Sequence, residues 1–283
     1  MTSTVRWRRS SRGAALAMAA VIAVGCATDD PLPGRLPPPP GTAATTATAL
    51  SPLLTHLHGL HVSTDRTLLA GTHTGLVAIN PTGTTTPVGT SDDDLMGLTG
   101  APGSDLLFTS GHPGPSSSAA DPLGVRASSD GGDNWVDRSL SGQVDVHVLA
   151  AAGNLLVGSD GSPTLMVSSD AGHTWSVGAH LVPRSLAITV DGIWAATDEG
   201  ALWHSIDEGR SFAEVAAPTI GLLAGSGSTL WAVDADGYAW QQSEGRAWLK
   251  HSWIGAPDAI AVATDGTAYA ATNAELWILT PRP

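Results

Sequence analysis

Short apolar segments alternate with turns along most of the chain. One example consists of four apolar runs separated by Gly- and Asp-containing turns, at 185–190, 193–197, 201–205 and 211–215. Runs of this length, bounded in this way, are typical of closely spaced antiparallel strands. The same four-run pattern fits three longer segments, 145–180, 184–216 and 219–250. Outside the N-terminus no stretch has helical periodicity, so the pattern predicts an all-β protein.

A short sequence pattern recurs at nearly constant spacing. The form Ser-x-Asp-x-Gly-x-x-Trp/Phe occurs at 128–135, 168–175 and 205–212, and a degenerate copy lies at 241–248. The starts are 40, 37 and 36 residues apart, a period that indicates stacked supersecondary units. Ser and Asp side chains bond nearby backbone N–H groups, Gly supplies positive φ, and the aromatic residue packs between sheets. We therefore interpret these segments as hairpin turns that stabilise the fold and not as a binding site.

Together these features predict a β-propeller of four-stranded antiparallel blades over 51–283. We count six blades, with seven as the alternative. Blade one starts near His56, and blade two, about 94–140, carries an insertion at 113–122. The last unit, 259–279, has only three apolar runs, so we expect a strand at 49–54 to close the ring from the N-terminal side.

The N-terminus has the organisation of an export signal. A basic region with Arg6, Arg8, Arg9 and Arg12 precedes an apolar run, 13–24, that is too short to span a bilayer. The run ends in Ala-Val-Gly-Cys26, which resembles the lipobox of bacterial lipoproteins. Cys26 is the only cysteine, which excludes an internal disulfide and favours acylation. We predict a lipoprotein signal peptide at 1–25, although a plain secretory signal with an incidental cysteine is the alternative.

Residues 26–50 are rich in Pro, Thr and Ala, which is typical of an extended tether. The expected location of the domain is thus the outer face of the cytoplasmic membrane, held by a lipid anchor on Cys26. The chain has 13 basic and 26 acidic residues, and removal of the four leader arginines leaves a net charge near −17. That balance argues against nucleic acid and anionic lipid surfaces as partners. A small ligand, a glycan or an envelope protein is expected instead, with the protein a monomer.

Strand polarity places one set of residues at a single mouth of the propeller channel. The first strand of a blade begins, and the second ends, at the same end of the barrel. The strand-one positions are His58, Met96, His147, Arg184, Ile220 and Asp258. The strand-two ends are His73, His112, Asp160, Asp198, Asp234 and Asn273. We predict a ligand-binding set among them, formed by His58, Met96, His147, Arg184, Asp198 and Asp258.

Histidines are concentrated at this predicted mouth. The His56-x-His58 spacing places both side chains on one side of a strand, and the candidate metal ligands are His56, His58, His73, His112 and His147. A set of His, Met and Asp side chains suits copper or zinc. The alternative is that a His at a strand end bonds only the backbone. The other histidines are expected to be packing residues or to lie on the surface or between blades, namely His61, His173, His180, His204 and His251.

The repeated segments resemble the Asp-box, or BNR repeat, of sialidase-type and related β-propellers. Further segments at 56–60, 72–76, 96–98, 110–114 and 122–124 look like those of bacterial exported Asp-box proteins. That family is usually labelled glycosylhydrolase-like or exo-sialidase-like, and the resemblance covers 52–280. The resemblance implies a propeller. The activity in the family's label rests on the fold alone, and a fold does not establish an activity. Photosystem II assembly factors and sortilin-type receptors share the same turns.

The residues that sialidase chemistry needs are not assembled in this sequence. That chemistry uses an arginine cluster, a tyrosine nucleophile with a glutamate, and an acid/base aspartate, but only Arg184 maps to the mouth. The two tyrosines, Tyr238 and Tyr269, have no arginine near in sequence. We therefore predict a non-catalytic, exported, lipid-anchored propeller that binds a metal ion or small ligand. The alternatives are a glycoside hydrolase that uses mouth aspartates such as Asp160, Asp198 and Asp258, and a protein-docking scaffold or assembly factor.

Overall fold

The fold is a six-bladed β-propeller in which every blade is a four-stranded antiparallel sheet. The computed structural model describes residues 45–243 and 246–282. The strands are short because Gly, Asp and Asn turns interrupt each apolar run after a few residues. No helix in the described residues has the length and apolar character needed to cross a bilayer. The predicted all-β class and the count of six blades are confirmed, and a seventh blade is excluded.

The first half of the propeller contains blades 1 to 3. Blade 1 is formed by β2 (Leu57–Val62), β3 (Leu68–Thr72), β4 (Gly75–Ile79) and β5 (Thr85–Val88). Blade 2 is formed by β7 (Thr99–Gly100), β8 (Leu107–Thr109), β10 (Val125–Ser128) and β11 (Val136–Ser139). Blade 3 is formed by β12 (Val148–Ala152), β13 (Leu155–Ser159), β14 (Met166–Ser168) and β15 (Ser176–Val177). A separate two-stranded ribbon precedes and interrupts blade 2, with β6 (Asp94–Leu95) paired to β9 (Gly111–His112).

The second half contains blades 4 to 6. Blade 4 is formed by β16 (Ser185–Thr189), β17 (Gly192–Ala196), β18 (Leu202–Ser205) and β19 (Ala213–Val215). Blade 5 is formed by β20 (Ile220–Ser226), β21 (Thr229–Asp234), β22 (Tyr238–Ser243) and β23 (Leu249–Trp253). Blade 6 has three consecutive strands, β24 (Ala259–Val262), β25 (Ala268–Ala271) and β26 (Glu275–Leu279).

A strand from the N-terminal side completes blade 6. This strand, β1 (Thr48–Ala49), pairs antiparallel with β26. It is shorter than the predicted 49–54 strand and begins earlier, inside the segment predicted as tether. After β1 the chain stays attached to both end blades, because Leu54 N donates to Asn273 O and Thr85 N donates to Ser51 O. The segment that follows β1 thereby joins blade 6 to blade 1 and closes the ring.

The hydrophobic core lies between neighbouring blades. Each of six clusters of buried side chains spans one pair of adjacent blades. Between blades 5 and 6, for example, the Trp231 side chain is fully buried and its Nε1–H donates to Gly266 O at 2.9 Å. Burial of an indole contributes several kcal/mol, about 3 or more, only if its N–H finds an acceptor. The interfaces between blades therefore fix the relative positions of the inner strands that line the channel.

The three repeated segments form the same hairpin turn between the third and fourth strands of blades 2, 3 and 4. In blade 3, the buried Ser168 Oγ accepts a hydrogen bond from Gly172 N at 2.9 Å and donates to Asp170 Oδ1 at 2.8 Å. Asp170 Oδ1 also accepts from Thr174 N at 2.9 Å. Equivalent bonds recur in blades 2 and 4. The predicted leader at 1–25, Cys26 and most of the tether at 26–50 lie outside the described residues.

Candidate metal centre at the channel mouth

The innermost strands of the six blades enclose a central channel. Five residues expected at one mouth line this channel together: His58, Met96, His147, Arg184 and Asp258. The blade 5 position differs from the expected one, because the register of β20 shifts between Ile220 and Leu222. Ile220 is consequently buried between blades, and Leu222 lines the channel in its place.

Three histidines of blade 1 converge at this mouth. His56, His58 and His73 each offer one ring nitrogen, and these nitrogens lie within 4.8 Å of one another. The ring centroids are 4.4 to 4.7 Å apart, and His56 Nδ1 lies 2.6 Å from His73 Nε2. Metal–nitrogen bonds of 2.0–2.1 Å imply nitrogen spacings of about 3.3 Å in a tetrahedral zinc site. A small movement of the rings is therefore enough for the three nitrogens to share one ion.

Local backbone conformation, and not strand alternation, brings His56 next to His58. His56 lies just before β2 with a φ of 56°, in the left-handed region. The register between β2 and β3 then shifts between Leu57 and Gly59, so His58 sits at an irregularity. A histidine is one of the few side chains that tolerates positive φ with modest strain. The two rings meet as expected, but through a turn followed by a bulge.

His73 is held in place by the turn between β3 and β4. Its backbone N–H donates to Thr55 O at 3.0 Å, which ties this turn to the residue before His56. Gly75 completes the turn with a φ of 102°, and a Cβ there would lie 2.2 Å from Ser91 O. Only glycine permits this close approach. The turn thus brings His73 against the chain that leads into the ribbon of β6.

Asp94 adds a carboxylate that the sequence analysis missed. Its Oδ1 lies 3.3 Å from His58 Nε2, and its Oδ2 lies 3.5 Å from His73 Nδ1. The sequence signal was the acidic run at 92–94. The two preceding carboxylates have other partners: Asp92 accepts hydrogen bonds from the backbone and side chain of Ser116, and Asp93 pairs with Arg126 at 2.7 Å. Asp93 Oδ1 also accepts a hydrogen bond from Gly114 N at 2.9 Å, so both residues anchor the 113–122 insertion, whereas Asp94 faces the histidines.

His112 and His147 form a second group at the same mouth, with two further aspartates absent from the predicted set. His112 Nδ1 lies 2.7 Å from Asp121 Oδ1, and its Nε2 lies 3.1 Å from Asp145 Oδ2. The same Asp145 oxygen lies 2.5 Å from His147 Nε2. The Asp-x-His spacing at 145–147 was the available signal for Asp145, whereas Asp121 comes from the insertion.

The protonation of two mouth histidines is shifted in opposite directions. Burial lowers the pKa of His58, and the nearby Asp94 carboxylate opposes this effect. The hydrogen bond to Asp121 raises the pKa of His112, with a further contribution from Asp145. Neutral imidazole is the form that ligates a metal, so burial of His58 favours its ligating state.

The remaining predicted mouth residues are spread around the rim. Arg184 Nη1 lies 3.7 Å from Asp198 Oδ1, and both side chains are more than half exposed. Burial raises the pKa of Asp258, which lines the channel. Hydrogen bonds from the side chain and the backbone N–H of Ser162 lower the pKa of Asp160. Arg184, Asp198, Asp160 and Asp258 have no direct hydrogen bond or ion pair to the histidine cluster in the described residues.

The other two strand-two ends serve the fold. Asp234 accepts hydrogen bonds from Tyr238 N and Trp240 Nε1 within its own blade. Asn273 Oδ1 accepts from Leu57 N at 2.6 Å and so helps to join blade 6 to blade 1. Neither residue is therefore a free ligand at the mouth.

The other five histidines lie away from the mouth cluster. His61 is buried, with its Nε2 3.2 Å from Ser104 O. His251 is buried against Trp231 and Gln241. The remaining three are less buried: His173 beside Arg138, His204 stacked on Trp194, and the exposed His180. Histidines at the strand ends of one mouth, and not histidines in general, therefore make up the cluster.

Comparisons with solved structures support the β-propeller fold, but they do not show what this chain binds or catalyses. No protein-family model and no curated protein matches the chain. Among solved structures, a gluconolactonase from Xanthomonas campestris is 12% identical, with a TM-score of 0.62 over 85% of this chain and 99% of that one. A streptogramin B lyase is 13% identical (TM-score 0.55, covering 82% and 96%). YCF48 bound to D1 peptide is 14% identical (TM-score 0.50, covering 85% and 98%). At these identities the likeness concerns the β-propeller fold alone.

Proposed function

We propose that this protein is a non-catalytic β-propeller that binds a transition-metal ion through His56, His58 and His73. The observation that carries the proposal is the convergence of three imidazole nitrogens within 4.8 Å. These side chains come from two separate segments of blade 1, and Asp94 approaches them from the ribbon of blade 2. A hydrogen-bonding role for a strand-end histidine needs only one backbone partner, whereas these three rings face one another.

Copper and zinc are the ions that this donor set favours. Imidazole nitrogen suits both, and a carboxylate is an acceptable further ligand. Met96 also lines the channel mouth, and a thioether would favour Cu(I). The ligand-binding set proposed around the ion consists of His58, Met96, His147, Arg184, Asp198 and Asp258. A small anionic or zwitterionic molecule suits this rim, because Arg184 and Asp258 offer opposite charges beside the histidines.

The proposed cellular setting is the outer face of the cytoplasmic membrane. The basic and apolar regions at the N-terminus and the lipobox-like segment ending in Cys26 support export and acylation. We further propose that the chain belongs with the exported Asp-box propellers. The shared Ser, Asp and Gly hydrogen bonds of the three repeated turns support this assignment. The monomer would meet metal ions or ligands outside the cytoplasm, with envelope proteins or glycans as further partners.

The direct test is the metal content of the purified protein. Wild-type protein is dialysed against Cu(II) or Zn(II) and then against metal-free buffer, and the bound metal is measured by mass spectrometry. We expect retained metal in wild type and loss of the equivalent held by the blade 1 histidines in the His56→Gln/His73→Gln double variant. The matched control is His173→Gln/His180→Gln, which removes two histidines outside the cluster. Wild type without retained copper or zinc would contradict the proposal.

A glycoside hydrolase is the second candidate, and one observation favours it. Asp258 lines the channel, and burial raises the pKa of its carboxyl group, as a general acid requires. This alternative predicts hydrolysis of an envelope or extracellular glycan that Asp258→Asn abolishes and His56→Gln/His73→Gln leaves intact. Screening wild type and both variants on fluorogenic glycosides would separate this activity from metal binding.

A further inference from the structure

The group formed by His112, Asp145 and His147, here called the second cluster, places two imidazole rings around one carboxylate oxygen. One oxygen, Asp145 Oδ2, lies 3.1 Å from His112 Nε2 and 2.5 Å from His147 Nε2. On its other side the His112 ring is held by Asp121, 2.7 Å from Nδ1. A carboxylate on one nitrogen of a histidine, with the other nitrogen turned to the site, is the usual support of a metal ligand. The second cluster therefore contains candidate ligands and an outer support for His112, while among the described residues only the blade 1 histidines bring three ligand atoms within 4.8 Å of one another.

Asp94 connects the second cluster to the histidines of blade 1. It faces His112 across the β6–β9 ribbon as its direct pairing partner. Such partners have Cα atoms about 4.5 to 5.5 Å apart. Its two carboxylate oxygens meanwhile approach His58 and His73 at 3.3 and 3.5 Å. One carboxylate thus lies between two histidine groups, the position that a bridging ligand takes in sites with two metals about 3.5 to 4 Å apart.

Close backbone packing holds this ribbon in place. Gly111 in β9 has a φ of 140°, and a Cβ there would lie 2.0 Å from Asp94 O. The two strands of the ribbon are thus in direct backbone contact. Asp94 cannot move away from His112 unless the β6–β9 pairing is lost. The spacing between the two histidine groups is consequently a property of the fold.

Three buried polar atoms of the two groups lack a hydrogen bond that meets the usual geometry: His58 Nε2, Asp94 Oδ1 and Asp145 Oδ1. The first two face each other as an ion pair at 3.3 Å, whereas Asp145 Oδ1 has no such partner among the described residues. Buried polar atoms in folded proteins are normally paired, and an unpaired one calls for a ligand, an ion or a water. Asp145 Oδ1 is therefore the buried atom of the second cluster that an ion could satisfy.

The charge of the mouth supports two ions. Asp94, Asp121 and Asp145 carry three negative charges, and no Arg or Lys in residues 45–243 and 246–282 forms an ion pair with any of them. Against these three carboxylates alone, one divalent ion would leave about one excess negative charge, whereas two would leave about one positive charge. A small anion or hydroxide bridging two ions balances that excess.

We propose that the mouth is a two-metal site, with one ion on His56, His58 and His73 and the second on His112, Asp145 and His147. Asp94 lies between the ions, and Asp121 orients His112. This inference rests on the proposed function, since it assumes that the first ion binds. The ligand class it implies is a small bridging anion that reaches both ions from the channel.

The test is metal stoichiometry in the full-length protein. Protein is loaded with Cu(II) or Zn(II), dialysed and measured as before, together with a Cu(II) electron paramagnetic resonance spectrum. We expect two equivalents in wild type, with a spectrum broadened by coupling between neighbouring Cu(II) ions. His147→Gln and Asp145→Asn should each retain one equivalent and give an uncoupled mononuclear spectrum. The control His173→Gln/His180→Gln should retain two equivalents and the coupled spectrum.

The outcomes separate the two proposals. One equivalent in wild type, retained in His147→Gln and lost in His56→Gln/His73→Gln, would overturn the second site and preserve the first. No metal in any protein would overturn both. Near-ultraviolet circular dichroism of every variant identifies one that has lost the fold. If His147→Gln has lost the fold, the comparison uses Asp145→Asn instead, because that substitution keeps the side-chain volume.

Discussion

The buried His251 makes the free energy of unfolding sensitive to mildly acidic pH. Its side chain is 7% exposed, its ring lies 4.5 Å from that of Trp231, and its Nε2 lies 3.0 Å from Gln241 Oε1. Gln241 Oε1 also accepts a hydrogen bond from Arg282 N at 2.8 Å. Burial, together with the Arg282 charge, lowers the pKa of His251 to about 4.

The sign and size of the effect follow from proton linkage. In the unfolded chain His251 titrates near pH 6.5, whereas in the folded protein it stays neutral until the pH approaches about 4. The unfolded state therefore binds the extra proton, and stability present above pH 6.5 is lost as the pH falls. Between pH 7.5 and pH 5 the full loss is about 2 kcal/mol. Screening by nearby solvent reduces this, so we expect about 1 kcal/mol or more.

The assay is urea unfolding at pH 7.5, 6.5, 5.5 and 5 with wild type, His251→Phe and His251→Gln. Both variants lose some stability at every pH, because the first loses a hydrogen bond and the second loses ring packing. What they share is the absence of a titrating group, so both should show less decline with falling pH than wild type, by about 1 kcal/mol at pH 5. Parallel curves for all three proteins would refute the reasoning.

Three further predictions concern the repeated turns and the ribbon. Ser168→Ala leaves the buried Gly172 N–H without its acceptor and should cost about 1–3 kcal/mol in urea unfolding, whereas the exposed Ser169→Ala should be near neutral. Hydrogen bonds from Ser211 lower the pKa of Asp207 to about 2, so stability should fall as pH drops from about 4 to 2, and Asp207→Asn should flatten that decline. Gly111→Ala inserts a methyl group 2.0 Å from a β6 carbonyl oxygen and should lower both the melting temperature and the metal content. Its control Gly153→Ala, also at positive φ but with nothing within 4 Å, should cost only about 1 kcal/mol and retain all metal.

The histidines and aspartates of the channel mouth lie near the junction of blades 1 and 2, where the regular blade pattern is interrupted. Blades 4 and 5 contribute Arg184 and Leu222 to the channel instead of histidines. The β6–β9 ribbon and the 113–122 insertion add the aspartates that surround His112. The blades form a rigid frame, and the irregular segments between their strands carry several of the candidate metal-binding side chains.

The propeller was predictable from the sequence because its determinants are local and repeated. Each blade needs four short apolar runs, and each repeated segment contains the Ser, Asp and Gly groups that bond one another in its turn, as Ser168, Asp170 and Gly172 show. The missing fourth strand of the last unit likewise predicted closure from the N-terminal side. The position of the closing strand, predicted at 49–54, could not be read from the sequence. Thr48–Ala49 pairs with β26 through backbone groups, which every residue type offers.

The gathering of histidines at one mouth was also contained in the sequence, since strand polarity alone assigns each strand end to a face. What only the tertiary structure decided is which groups meet there. The register shift in β20 replaces Ile220 with Leu222, and the left-handed conformation of His56 turns its ring toward His73. The pairing of β6 with β9 carries Asp94 between two histidine groups that lie far apart along the chain. Contacts of this kind depend on the packing of one blade against the next, and no periodicity within a single segment specifies them.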